Sequence, residues 1–384
     1  MVEKNAAYRE PETERSAKAK RVAVIVTEYR FNSHADVILG RLLGDFQYRP
    51  SVEVVSIFTD QVPANDMSRE AAARHGITIS PTIGDAIRAA HAGGPVDGVI
   101  IIGEHGDYPT NEKGQIEYPR RRFLAETISA LDELGLAVPI FSDKHLAHGF
   151  DDALWMYEQM KIRGIPFMGG SSIPHCDHVP AFDPRHLTSL RDVLVISSGG
   201  LESYGFHAME VLQSLAERRD GGETGIRSVQ LIDGAGGEAW AVMDRGVWPE
   251  DLLLHAMAAF PGLPAAHPRV LEPDPALFVL EYADGTKGFI LQFKRLVEQW
   301  GFAFRCKDGK VIAARCDSDL ERPFAHFERL TRLIEAFIIT GKPPFPMERT
   351  LLTTGMICAA MDSLFHGQKL DTPALQIRYD CTEG

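Results

Sequence analysis

The chain predicts an α/β protein in two parts. Residues 21–172 form a Rossmann-like, doubly wound parallel sheet, and residues 173–384 form an α+β domain with a mostly antiparallel sheet. The first half alternates short apolar runs with amphipathic segments. Its runs, RVAVIVT and VDGVIIIG above all, are continuously apolar through their centres rather than apolar at every second position. Such strands are buried on both faces, as in a parallel sheet covered by helices. Composition then changes after Ser172, where IPHCDHVPAFDPRH reads as a connector. A length of 384 residues also favours two domains over one.

The elements follow in order. Residues 21–27 form the first strand, and a helix over 35–43 follows with Ser33 as its N-cap. A strand over 52–59, a helix over 68–75, a short strand around Thr78 and a helix over 83–92 come next. The run 96–103 is the fourth strand. Beyond it lie a helix over 121–134, a strand over 138–142, a helix over 150–163 and a strand over 166–169. Strand and helix alternating this regularly imply right-handed crossovers. In the second half, strands are expected over 193–197, 228–232, 277–282 and 288–294. Asp284-Gly285 marks one hairpin and Asp308-Gly309 another. Helices are expected over 207–219, 324–338 and 351–365, the second ending at Gly341 before Pro343.

Composition narrows the partners. A net charge of -13 argues against nucleic acid and anionic membranes, which require a clustered basic surface. The one dense basic run, Arg120-Arg121-Arg122, reads either as a solvated helix face or as a site for phosphate or carboxylate. Five scattered cysteines without a C-x-x-C pair suggest neither a disulfide framework nor structural zinc. The opening residues 1–20 are polar, which points to a disordered arm rather than a signal peptide. The expectation is a cytoplasmic protein, away from membranes, that forms a homo-oligomer and acts on a small molecule.

A dinucleotide-binding unit carries G-x-G-x-x-G after its first strand, so that backbone can approach the pyrophosphate at a helix N-terminus. Here the turn reads Thr27-Glu28-Tyr29-Arg30-Phe31-Asn32-Ser33-His34, with a side chain at every glycine position. Arg30 and the helix start remain to attract an anion, with Thr27, Tyr29, Asn32 and Ser33 lining the turn. Asp60, ending the second strand, stands where an acid takes ribose hydroxyls, although an Asp there is also a common cap.

Taken in order, these segments resemble the glucose-fructose oxidoreductase / inositol dehydrogenase / MocA (Gfo/Idh/MocA) family. The resemblance rests on VDGVIIIGEHGDYP, on PIFSDKHLAHGFDDALWMYEQMKIRGIPFMGG with Asp143-Lys144-His145 at the place of a Glu-Lys-Pro motif, and on Gly199-Gly200-Leu201-Glu202-Ser203-Tyr204-Gly205-Phe206-His207. HFERLTRLIEAFIITGKPPFP resembles the family's closing helix, so nearly the whole chain is covered. The sequence departs from the family in its lost glycines, in His145 for proline, and in Ser203 where an Asp is usual. The resemblance implies an NAD(P)-dependent oxidoreductase acting on a sugar-like or polyol hydroxyl. It makes Lys144 and His207 the catalytic pair. The strand-end rule for open α/β sheets brings Glu104, His105, Asp143 and His145 to the same cleft, Glu104 toward the cofactor and the other three toward the substrate, with Tyr108, Arg120, Glu202 and Tyr204 as further substrate candidates.

Two other readings stay open. Glu104, His105, Asp143 and His145 reach one cleft from two neighbouring strand ends, a set able to hold a divalent metal in a dinucleotide-independent lyase, isomerase or hydrolase. Hydrogen-bonded loop anchors explain the same residues, and a non-catalytic binding protein is the third reading. The polar segment 108–122 is either a lid or clamp over the substrate or an oligomer contact.

Overall fold

The computed structural model describes residues 19–381. The arm expected over residues 1–20 lies, as far as residue 18, outside the described residues. The first half contains β1 (Lys20–Val26), α1 (His34–Leu42), β2 (Val52–Thr59), α2 (Ser68–His75), β3 (Thr78–Ser80) and α3 (Ile83–Ala92), followed by β4 (Gly98–Ile102), α4 (Arg120–Leu134), β5 (Ile140–Asp143), α5 (Phe150–Arg163) and β6 (Phe167–Gly170). The six strands pair in parallel in the order β3-β2-β1-β4-β5-β6. The order reverses between β1 and β4, and a crevice opens there at the carboxyl ends of the strands. Val22 to Val26 have no exposed surface, as their unbroken apolar run predicts.

The second half contains β7 (His178–Val179), β8 (Leu190–Ser198), α6 (Ser203–Ala216), β9 (Ile226–Ile232), α7 (Glu238–Asp244), α8 (Glu250–Ala258) and α9 (Pro268–Leu271). Then come β10 (Ala276–Tyr282), β11 (Lys287–Phe293), β12 (Gly301–Cys306), β13 (Val311–Cys316), α10 (Ala325–Thr340), α11 (Met347–His366) and β14 (Leu370–Asp371). Its eight-stranded sheet, ordered β14-β9-β10-β11-β8-β12-β13-β7, is antiparallel except where β11 runs parallel to β8. Helices α6 and α11 pack on one face, and α7 and α8 cover the other. Helices α7 and α8 lie where no element is expected, and α6 starts at Ser203, one turn before the expected His207.

One helix crosses the expected division of the chain. Phe327, Leu330, Ile334, Phe337 and Ile338 of α10 pack with Val22, Val24, Ile38 and Ile100, so residues beyond 173 complete the cover of the first sheet. Gly98 makes this approach possible, because a Cβ there would lie 2.5 Å from Ile338.

Candidate active site

The cleft at the carboxyl ends of β4 and β5 encloses a cavity of about 440 Å³. Glu104 and His105 enter it after β4, Lys144 and His145 after β5, and Glu202, Tyr204 and His207 from the start of α6. The backbones of His105 and Lys144 are left-handed, with φ of 72° and 68°. Non-glycine residues seldom adopt this conformation, and it concentrates at functional sites. Here it turns two side chains into the cleft immediately past the strands that carry them.

Lys144 and His207 meet at the centre, with Lys144 Nζ 2.8 Å from His207 Nε2. An ammonium has no lone pair, so Nε2 accepts and Nδ1–H is directed to Ser171 Oγ at 2.6 Å. Burial and then the Lys144 charge hold the His207 imidazole well below its ordinary pKa, in the neutral form. Glu104 faces Lys144 at 3.5 Å and is also paired with Arg120. Burial alone would raise the Glu104 carboxyl, but the charges of Lys144 and Arg120 outweigh it and keep the group ionised.

Arg120 is 1% exposed and lies behind the cavity wall instead of facing substrate. Its Nε donates to Gly103 O at 2.8 Å and its Nη1 to His145 Nε2 at 3.0 Å. The His145 imidazole therefore presents a lone pair to Arg120, and burial with that neighbouring charge lowers its pKa. Two more expected substrate contacts are likewise absent from the cavity wall. Asp143 is buried and pairs with His34 Nδ1 at 2.6 Å, while Tyr108 donates to Asp60 at 2.8 Å.

The residues of the metal alternative have other partners. Glu104 is held by two cations, Asp143 by His34, His145 by Arg120, and His105 Nδ1 lies 3.4 Å from Arg30. Among the described residues no group of three His, Cys, Asp or Glu side chains converges as metal ligands.

The side chains predicted to hold the dinucleotide are engaged within the protein. Tyr29 has no exposed surface and packs in the core beneath α1. Thr27 Oγ1 donates to Glu104 O at 2.7 Å. Ser33 caps α1 through Asp36 N, and the buried Asp36 carboxylate accepts from Asn32 N and pairs with Arg322. The helix start, which attracts anions, thus already carries one. Arg30 is paired with Glu28. Asp60 accepts from Tyr108 on one oxygen and from Arg122 on the other, at 2.6 Å. None of Thr27, Tyr29, Arg30, Asn32, Ser33 and Asp60 lines the cavity.

Several cleft residues escaped the sequence reading. His34 begins α1, Ser172 and Ile173 follow β6, Trp300 precedes β12, and His326 and Phe327 open α10. Tyr204 stacks on Trp300 with centroids 5.7 Å apart, and Trp300 meets His207 edge-on at 5.3 Å. The segment 108–119 closes another side: Ile116 N and Gln115 Nε2 both donate to Glu202 at 3.2 Å, tying the β4–α4 connection to α6. Of the residues lining the cavity, His105, His145, Ser172, Trp300 and His326 each carry a buried polar atom without a protein partner (Nε2, Nδ1, Oγ, Nε1 and Nδ1), which leaves polar atoms for a bound molecule in this wall.

No family model and no curated protein matches the chain. Its fold is similar to solved structures along almost its whole length. The structure of GenD2 from gentamicin A biosynthesis in complex with NAD covers 95% of this chain and 99% of its own, at 13% identity and a TM-score of 0.60. A putative myo-inositol dehydrogenase from Sinorhizobium meliloti and a myo-inositol 2-dehydrogenase from Lactobacillus plantarum each cover 92% of this chain and 99% of their own. Their identities are 16% and 14%, and both have a TM-score of 0.58. At these identities the likeness establishes the fold: this chain has the two-sheet architecture of these dehydrogenases.

Proposed function

We propose that the protein is an oxidoreductase acting on a hydroxyl of a sugar-like or polyol molecule, with NAD(P) as its redox partner. The carrying observation is the contact of Lys144 Nζ and His207 Nε2, 2.8 Å apart in the cleft. A substrate oxygen placed there replaces Nε2 as the partner of Lys144. The freed lone pair of the neutral His207 then accepts the hydroxyl proton, and the Lys144 ammonium stabilises the alkoxide that develops. The Tyr204–Trp300 stack offers an apolar face for a ring. The named activities of the similar structures support the redox partner, which in this chain has to be held by groups other than Tyr29, Ser33 and Asp60.

A second reading is favoured by one observation, the occupied turn and helix start after β1. It makes the protein a lyase, isomerase or hydrolase that moves protons at the same pair of residues without a dinucleotide. Calorimetry with NAD(H) and NADP(H), beside turnover on a polyol panel, separates the two. Binding accompanied by polyol oxidation supports the first. Turnover of a sugar-like substrate by protein that binds neither dinucleotide establishes the second.

Among the described residues no helix is long and apolar enough to cross a membrane. The proposal includes a cytoplasmic setting, supported by free cysteines of which four are buried. It also includes a homo-oligomer, supported by exposed Val247, Leu254 and Val270 beside and within the helices over the second sheet. Light scattering after size exclusion tests the latter.

A further inference from the structure

We infer that Glu210 is a positioning residue for the Lys144–His207 pair, acting through the Gly170–Ser171 peptide that joins the two sheets. This rests on the assignment of that pair as the reacting groups. Glu210 lies one turn beyond His207 on α6 and is 1% exposed. One carboxylate oxygen accepts from Ser171 N at 3.2 Å, and the other accepts from Thr353 Oγ1 of α11. The held peptide touches both reacting residues. Gly170 exchanges backbone hydrogen bonds with Lys144, N to O in each direction at 3.2 Å, and Ser171 Oγ meets His207 Nδ1. Ser171 Oγ also accepts from Ile173 N at 3.0 Å, which fixes its rotamer.

Gly170 is required where the carboxylate approaches. Its φ is +115°, and a Cβ there would lie 2.6 Å from Glu210 Oε2. One carboxylate thus sets a peptide whose backbone orients Lys144 and whose side chain orients His207. Burial pushes the Glu210 carboxyl up, against the Arg349 charge and its bonds to Thr353 and Ser171. The charged or titratable groups that bear on His207 are Lys144, Glu104, His34 and His326; those that bear on Glu210 are Arg349 and Glu217.

Nitrogen NMR of ring-labelled histidine in the full-length protein tests this, with His207 identified through His207→Gln. In the native protein His207 is expected as a single neutral tautomer, protonated on Nδ1, into the acid range. Glu210→Ala should mix the tautomers and move protonation of His207 toward the ordinary histidine range. Glu210→Gln, whose amide oxygen still accepts from Ser171 N, should restore the native signal. Thr353→Val, which loosens the carboxylate without removing it, should give a smaller change in the same direction and decides the matter if Glu210→Ala does not fold. Unchanged His207 signals in Glu210→Ala or Thr353→Val overturn the inference, as does a Glu210→Gln protein that behaves like Glu210→Ala. Because the readout is the resting imidazole, such a result leaves the reacting roles of Lys144 and His207 to be judged separately by turnover.

Discussion

The two ends of the cleft receive their side chains from the same sheet and treat them in opposite ways. After β4 and β5 the chain adopts left-handed backbone to turn His105 and Lys144 outward, toward a cavity. After β1 it turns Tyr29 inward, and the acid at the start of α1 is neutralised from another part of the chain by Arg322. One end turns polar side chains into a cavity, and the other turns Tyr29 into the core and pairs its charged groups within the protein. Strand ends alone therefore do not make a ligand site. What distinguishes them is whether the polar side chains there face a cavity.

The largest effects should come from the open end. Lys144→Ala and His207→Ala should each lower turnover by about 10²–10⁴-fold, the usual scale for a positioned acid or base, in protein that is still folded at the assay temperature. Loss of activity by global unfolding instead would remove the distinction between the ends. Next comes Glu104→Gln, which leaves Arg120 and Lys144 without their carboxylate. Breaking a buried pair in this way costs about 3–5 kcal/mol, measurable by denaturant unfolding near neutral pH. Since the pairing depresses the folded pKa of Glu104, its stabilisation is present above the unfolded glutamate value, about pH 4.3, and is lost as pH falls below it. The difference between native protein and Glu104→Gln should accordingly shrink in acid; a constant difference would mean that charge is not its source.

The closed end should respond weakly. Asp60→Asn should leave any NAD(P) affinity within about twofold in calorimetry, because the Asp60 carboxylate serves Tyr108 and Arg122. The ribose role read from the sequence requires a loss of roughly 1–3 kcal/mol, the scale of unmade charge-assisted hydrogen bonds. Smallest of all is Tyr29→Phe. The Tyr29 hydroxyl is buried without a partner, so its removal should leave stability unchanged or raise it by up to about 1 kcal/mol. A clear drop in melting temperature would show that the hydroxyl has a function the fold does not reveal.

Much of the architecture could be read from the chain because its cause is local. Unbroken apolar runs such as Val22–Val26 require cover on both faces, and the Asp284-Gly285 turn specifies its hairpin. The family resemblance singles out Lys144 and His207, and the structure places them in contact. His34, Trp300 and His326 were missed because three distant segments deliver them to the cleft, and no local pattern marks that convergence. Arg120 and Tyr29 were misplaced for a different reason. A residue at a strand end or helix start can face either way, and only the packing of α4 behind Gly103 and of α1 over the sheet decides which. The same limit hid α10, whose apolar stripe was legible while its return to the first sheet was not.

The Asp36–Arg322 pair at the start of α1 has a consequence for how the folded state responds to its surroundings. A protein whose cofactor sits at a helix start gains stability by mass action, as RT ln(1 + [L]/Kd), so its resistance to unfolding follows the supply of ligand. Here the anion and its counter-charge belong to one chain and are always present together. At this position the charge balance of the folded state needs no ligand, so any stabilisation that a bound dinucleotide brings has to come from contacts elsewhere in the fold.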